Sequence, residues 1–297
     1  KYRHEYRHEY RSNRRGGGSK QHGYQSAVSS NVGGGPKLKP EMSERLDMND
    51  WFENEAFWVQ YAPIMFDIPR WKEAPAVAEG IFKLADTGRL PQELKILDAG
   101  CGLGRIAVEL AVLGAQVTGV DLIKPFLDAA AEAAAAENVT IEWVQADLRK
   151  FIQPESFDIA VNMYTSFGYC KTIEEDALII RNIAQSLKKG GCFILEMVGR
   201  EIAVRDFTAG EWFERAGYTV LTDFTVEGAW EGLRSHWQLY SKDGLKADHT
   251  FVQRLYAATE LRQLMLSAGF TSVEIYGDFD RSPYNERART MILVGRK

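Results

Sequence analysis

The run Leu97-Asp98-Ala99-Gly100-Cys101-Gly102-Leu103-Gly104 sets three glycines at alternate positions, with a carboxylate two residues before the first. A glycine turn of this kind, between a short apolar run and a helix, lets backbone approach a ligand closely at the carboxyl edge of a sheet. The spacing discriminates among ligands. A dinucleotide fingerprint starting at Gly100 requires glycine at position 105, where Arg105 stands. Two further carboxylates, Asp121 and Asp147, each follow an apolar run. Taken singly, Asp121 has the alternative of capping the turn before Pro125, and Asp147 that of serving its own loop. Outside residues 1–42 the only histidines are His236 and His249. An imidazole titrates near neutrality and can take a proton from a reacting group. Strand alternation puts His236, Gln238 and Tyr240 on one face and Trp237 and Leu239 on the other. Either histidine is a candidate base if its face lines a pocket, and otherwise a packed or solvent-facing residue. A further pattern, His4-Glu5-Tyr6-Arg7-His8, matches the zinc-protease spacing. It falls in a duplicated Tyr-Arg-His-Glu repeat with no third ligand or cleft, and reads as coincidence.

Elements that position these residues alternate from Leu94 onward. The patterning predicts strands at Lys95–Ala99, Gln116–Asp121, Thr140–Val144, Phe157–Met163 and Cys192–Val198. Helices are expected over Leu103–Leu113, over Pro125–Glu137 and from Thr172, where Glu175 completes a capping-box spacing. This βαβαβ rhythm predicts a doubly wound parallel sheet. It then breaks: Tyr218–Thr225, Gly232–Ser241 and Lys246–Tyr256 read as antiparallel strands inserted after strand five. A helix at Thr259–Ala268 and strands at Thr271–Tyr276 and Arg289–Val294 complete the chain. Upstream, residues 43–90 are aromatic-rich and helical in pattern, suited either to packing on the body or to a lid over a ligand.

Composition narrows the function class. The 297 residues are 45% hydrophobic and 26% charged, ordinary for a globular chain with a sizeable core. There is no run of 18 apolar residues to span a membrane, and no apolar h-region in the first 40. Three scattered cysteines, Cys101, Cys170 and Cys192, make neither a disulfide framework nor a zinc knuckle, so a cytoplasmic protein without metal is expected. Residues 1–42 carry nine Lys or Arg against three Glu, are rich in glycine, and read as a flexible basic arm, with Met42 a natural start. The remainder holds 27 basic and 38 acidic residues, a net −11, which argues against a nucleic-acid substrate.

The spaced glycines and their preceding aspartate resemble motif I of the class I S-adenosylmethionine-dependent methyltransferases, over roughly Lys95–Lys297. The resemblance implies an α/β fold: a doubly wound, mostly parallel seven-stranded sheet of the Rossmann-like methyltransferase type, with an inserted antiparallel β-subdomain. It implies S-adenosyl-L-methionine as cofactor and S-adenosyl-L-homocysteine as product. This ligand presents a sulfonium, an ammonium and a carboxylate in place of a pyrophosphate, so an acidic Asp98 beside its methionine moiety makes electrostatic sense. On the family's pattern, Gly100, Cys101, Gly102 and Gly104 form the turn. Asp121 accepts from the ribose hydroxyls and Leu122 packs on the adenine. Asp147 receives the adenine amino group, and the backbone N–H of Leu148 meets the ring. Met163, within Asn162-Met163-Tyr164, borders the methionine part. Tyr61 and Trp71 would close over the cofactor, or else belong to the core.

The C-terminal half, with His236-Trp237, His249 and Arg254-Leu255-Tyr256, resembles a small-molecule subgroup that includes sugar-amine N-methyltransferases, as does Thr165-Ser166-Phe167-Gly168-Tyr169. It implies methyl transfer to a small-molecule acceptor, an amine nitrogen, in a monomer or homodimer. His236, His249 and Tyr169 are the candidate catalytic groups. Arg254 either binds an acidic group of the substrate or makes a structural ion pair. Two other readings stay open: a peptide or protein acceptor, with the basic arm as docking segment, and a non-catalytic cofactor-binding scaffold.

Overall fold

The computed structural model describes residues 51–297; the basic arm and the His4–His8 pattern lie outside them. Two helices come first, α1 (Glu55–Met65) and α2 (Ile68–Ala85). Asn54 caps α1 by accepting the Phe57 N–H at 3.3 Å, and Asp67 caps α2 by accepting the Arg70 N–H at 3.3 Å. Apolar residues of α2 recur at helical spacing, and Ala74, Val77, Ala78, Ile81 and Leu84 bury one stripe against the main sheet. In contrast, α1 buries Phe57, Tyr61 and Ile64 against Val220, Leu239 and Ala247 of the antiparallel sheet.

The alternating part runs β1 (Lys95–Ala99), α3 (Arg105–Val112), β2 (Gln116–Asp121), α4 (Lys124–Ala136), β3 (Glu142–Gln145), β4 (Phe157–Asn162), α5 (Ile173–Ser186), β5 (Leu187–Met197) and α6 (Arg200–Arg205). An antiparallel meander follows: β6 (Gly210–Arg215), β7 (Tyr218–Glu227), β8 (Gly232–Ser241) and β9 (Gly244–Arg254). Then come α7 (Ala258–Ser267), β10 (Ser272–Tyr276) and β11 (Met291–Arg296). The main sheet has seven strands in the order β10-β11-β5-β4-β1-β2-β3. Every neighbouring pair is parallel except those made by β11, which runs antiparallel to both β10 and β5. The expected α/β architecture, a mostly parallel seven-stranded sheet with an antiparallel insert, is the one observed.

The strand order reverses at β1. The chain moves from β1 through β2 to β3 on one side, then returns to place β4 on the other. Such a switch point opens a crevice beyond the carboxyl ends of the two strands. Apolar side chains cover both faces of the sheet, in two clusters: α2, α3 and β1 contribute to one, α5, α7 and β5 to the other. No helix among the described residues is long and apolar enough to cross a membrane.

Element boundaries depart from the sequence reading where backbone geometry intervenes. The helix expected over Leu103–Leu113 begins only at Arg105, because Gly100, Gly102 and Gly104 take φ of 76°, 55° and 73°. Strand five, expected at Cys192–Val198, starts at Leu187: Gly190 N–H donates to Lys297 O and Lys297 N–H to Gly191 O, both at 2.9 Å, extending the pairing past the double glycine. The last strand is displaced to Met291–Arg296 for the same reason. Strand β6 escapes the reading altogether. It is a largely exposed edge strand, and only its hairpin, Ala216-Gly217 with φ of 50° and 79°, carries a turn signal.

Candidate functional site

The crevice at the switch point is built from the glycine turn, the end of β2 and the segment after β4. Gly100 and Cys101 N–H groups both donate to Val120 O, at 2.8 and 3.0 Å. A β-carbon at Gly104 would fall 2.8 Å from the Ala130 Cβ and the Trp143 ring, and one at Gly100 would fall 3.1 Å from the Ser166 Cβ. Positive φ and close approach together select glycine here. The Asp121 carboxylate accepts from Gly102 N–H at 2.7 Å and Ile123 N–H at 2.9 Å. Burial pushes this carboxyl up, opposed by those N–H donors.

Asp98, at the end of β1, is 2% exposed. Burial pushes its carboxyl up to about 7; the Ala107 backbone N–H opposes the shift and the Asp121 carboxylate adds to it. Its Oδ2 has no hydrogen-bond partner. On the adjacent strand Asn162 donates to Ala99 O at 2.7 Å and Ser166 O at 3.3 Å, while its Oδ1 has no partner. Two acceptors on neighbouring strands thus lack donors, a costly arrangement unless a ligand supplies them. The register pairs Asp98 with Val161, so Asp98 and Asn162 alternate to opposite faces at the strand ends, and an ammonium is the donor that suits the Asp98 carboxylate. The residues present therefore fit S-adenosylmethionine.

Other residues named from sequence occupy varied positions. Cys101 is buried with its Sγ against Gly119, and burial pushes its thiol up. Leu122 is half-exposed at the turn after β2, its carbonyl accepting from Gln145 Nε2 at 3.2 Å. Leu148 packs its side chain against the α5 side of the core. Met163 is 4% exposed in the opposite cluster, and its carbonyl accepts from Ser166 Oγ at 3.0 Å. Asp147 receives Arg149 Nε on both oxygens, at 3.1 and 2.9 Å. Partial burial raises the Asp147 carboxyl, but the Arg149 guanidinium outweighs it and the net shift is downward. Trp71, half-buried on the first turn of α2, follows Arg70, whose carbonyl accepts from the buried Arg105.

A chain of aromatic contacts leads from this crevice to the antiparallel sheet. Trp58 meets Phe126 at 6.3 Å and Tyr169 at 6.0 Å between ring centroids. Trp51 touches Tyr169 at 4.7 Å and Phe57 at 5.2 Å. Phe57 and Tyr61 then meet His249 at 5.4 and 5.6 Å. Tyr61 donates its hydroxyl to Trp237 O at 2.6 Å. Burial pushes the Tyr169 phenol up, and the Asp121 carboxylate adds to the shift.

The two histidines lie on opposite faces of the antiparallel sheet. His249 is directly opposite Trp237 and faces α1; burial lowers its pKa, opposed by Asp248, and its Nδ1 has no partner. His236 points to the outer face, 2.7 Å from Asp248 Oδ1 and 3.6 Å from Asp223 Oδ2. Arg254 makes the structural pair: its Nε is 3.3 Å from the fully buried Asp176, which also accepts from Tyr256 OH at 2.7 Å. Two contributors escaped the sequence reading. Arg149 had a faint signal, its place two residues after Asp147. Glu196 had none: it accepts from Tyr164 N–H at 2.6 Å and Thr290 Oγ1 at 2.5 Å, holding Tyr164 and Thr165 at φ of 55° and 62°.

Residues 96–191 match the family described as methyltransferase domain. The chain is 28% identical over 219 residues to the cypemycin N-terminal methyltransferase of a Streptomyces species, covering 67% of this chain and 81% of that protein. Among solved structures it resembles the CcbJ methyltransferase of Streptomyces caelestis, with a TM-score of 0.65 at 23% identity, over 75% of this chain and 89% of that one. It also resembles CalS10, an amino pentose methyltransferase of Micromonospora echinaspora, with a TM-score of 0.58 at 20% identity, over 86% and 100%. With the glycine turn, the acids at the ends of β1 and β2 and the seven-stranded order, these likenesses identify residues 96–191 as a methyltransferase domain within a chain that shares the fold of solved S-adenosylmethionine-dependent methyltransferases.

Proposed function

We propose that the enzyme transfers a methyl group from S-adenosylmethionine to the amine nitrogen of a small-molecule acceptor. The observation that carries the cofactor half is the pair of donorless acceptors, Asp98 Oδ2 and Asn162 Oδ1, beside the glycine turn. Asp98 would hold the ammonium, Asp121 the ribose and Asp147 the adenine amino group, with Asn162 Oδ1 left for a second donor of the ligand. When bound, the cofactor supplies an electrophilic methyl group that leaves sulfur by in-line displacement. The protein's part is to hold the acceptor nitrogen about 3–3.5 Å from that carbon and exclude water. Trp51, Trp58 and Tyr169 form an aromatic wall suited to both tasks. An amine must present a lone pair, and His249, kept neutral by burial, is the group on the inner face able to take its proton.

The names of two likenesses support an acceptor bearing an amino group, an amino pentose in one and a peptide N-terminus in the other. A peptide acceptor is accordingly the second reading. Free, buried Cys101, Cys170 and Cys192 suit a reducing, cytoplasmic setting. Calorimetry with S-adenosylmethionine and its demethylated product tests the cofactor; no binding at millimolar ligand by folded protein refutes it. An acceptor screen by mass spectrometry, starting with amines, tests the rest. Deleting residues 1–41 separates the readings: unchanged turnover on a small molecule, with no mass shift on the arm, removes the tethered-peptide alternative.

A further inference from the structure

One guanidinium in this protein gathers carboxylates from three separate stretches of chain. Arg149 grips both oxygens of Asp147 in the loop between β3 and β4. Its Nη2 lies 2.5 Å from Glu53 Oε1, in the turn that precedes α1, and its Nη1 lies 3.5 Å from Glu175 Oε1 on the first turn of α5. The guanidinium carbon stands 5.1 Å from the Phe52 ring centroid. Arg149 and Asp147 side chains are each only 14% exposed. A forked, partly buried pair of this kind fixes orientation as well as charge.

The turn held by this arginine is itself part of the aromatic wall. Trp51 Nε1 donates to Val252 O on β9 at 3.1 Å, and Trp58 Nε1 donates to Phe52 O at 2.7 Å. The rings of Trp51 and Phe52 lie on Tyr169 at 4.7 and 6.5 Å. Arg149 is therefore the polar link between the Asp147 loop and the Trp51–Glu53 turn that covers Tyr169. Asp147 Oδ1 also accepts the Arg149 backbone N–H at 2.8 Å and Oδ2 lies 2.8 Å from Nη2, so an adenine amino group would share these oxygens with the arginine, and its arrival bears directly on the fork.

We propose that Arg149 is a positioning residue that makes adenine recognition at Asp147 and closure of the Trp51–Glu53 turn over Tyr169 a single cooperative event. The inference rests on Asp147 as the acid that meets the adenine amino group. Coupling is reciprocal: ligand at Asp147 steadies the turn, and loosening the turn weakens the ligand. Glu53, which touches no cofactor atom in this scheme and is 47% exposed, is the informative position to change.

The test combines calorimetry and amide hydrogen exchange on wild type and Glu53→Gln, with S-adenosylhomocysteine as probe. Wild type should slow exchange over residues 51–58 on binding. Glu53→Gln should bind about fivefold or more weakly and lose most of that protection. Its kcat at saturating cofactor, measured once an acceptor is found, should fall less than its cofactor affinity, so that the larger part of the effect falls on KM for the cofactor. With S-inosylhomocysteine, which lacks the 6-amino group, the difference between the two proteins should vanish. Arg149→Lys, keeping the charge without the fork, should fall between them. Equal affinity and equal ligand-induced protection in wild type and Glu53→Gln overturn the coupling. Failure of wild type to bind the probe at all overturns the cofactor reading and this inference with it, a visibly different result.

Discussion

The Asp121 carboxylate at the end of β2 accepts the Gly102 N–H at 2.7 Å, so the acid proposed to meet a ribose also holds the glycine turn. A second oxygen takes the Ile123 N–H at 2.9 Å. Asp121→Ala should weaken S-adenosylhomocysteine binding by roughly 1–3 kcal/mol, the scale of hydrogen bonds to a charged group. Asp121→Asn, which retains one acceptor, should lose less. Calorimetry on variants with wild-type circular dichroism decides the matter, and near-wild-type affinity in the alanine variant removes Asp121 from the site.

Asp98 makes the free and bound proteins respond oppositely to pH. Its carboxyl is raised from the ordinary 3.8 to about 7, chiefly by burial. An acid raised on folding leaves the native state with more bound protons than the unfolded chain between those values, so it erodes stability as pH rises from about 4 to 7. Asp98→Asn should therefore stabilise the free protein at pH 8, by a few kcal/mol at most, and not at pH 4. Cofactor binding should strengthen as pH rises through 7, by up to about tenfold per unit, because a carboxylate holds an ammonium better than a carboxylic acid does. The asparagine variant should bind weakly with a flat profile. A pH-independent wild-type Kd between 6 and 8 would contradict this.

His249 and His236 should separate cleanly in kinetics. Burial holds His249 below its ordinary value of 6.5, so it is neutral at pH 7, and activity that uses it as a base should fall as pH drops through that lowered value. His249→Ala should lower kcat about 100-fold while leaving cofactor affinity intact. His236, paired with Asp248 on the outer face, should tolerate alanine within about twofold. Equal losses from both substitutions would remove His249 from the reaction.

Gly119 in β2 lies against the Trp143 ring so closely that a β-carbon there would sit 2.6 Å from Cε3 and 3.1 Å from the Cys101 Sγ. Gly119→Ala should cost about 1–3 kcal/mol by overpacking, read as a lowered Tm. Trimming the indole with Trp143→Leu in the same chain should return part of that loss, a non-additivity expected of residues in contact.

Breaking the latch between the insert and the core should be costly in a different way. Asp176 is fully buried, receives Arg254 and Tyr256, and supports the segment that carries Tyr169. Arg254→Met leaves that carboxylate without its cation, and should cost about 3 kcal/mol in denaturant unfolding. If Arg254 instead served a substrate, stability would be unchanged and KM for the acceptor would rise.

Local patterning carried the alternating half of this protein. Period-two and helical spacings, the Thr172 capping box and the three glycines before Arg105 placed β1, β2, β4 and α5 within a residue or two, because each depends on neighbours in sequence. Edge strand β6 was illegible, since its solvated residues carry no apolar alternation. Asp98 and Asp121 stand near the ends of β1 and β2, where the motif spacing put them, because that spacing reflects backbone they serve locally. Which histidine faces the aromatic chain, whether Arg254 meets a substrate or Asp176, and that Glu53, Asp147 and Glu175 converge on Arg149 were beyond it. Those facts depend on how two sheets and a leading turn pack together, and packing partners distant in the chain leave no spacing to read.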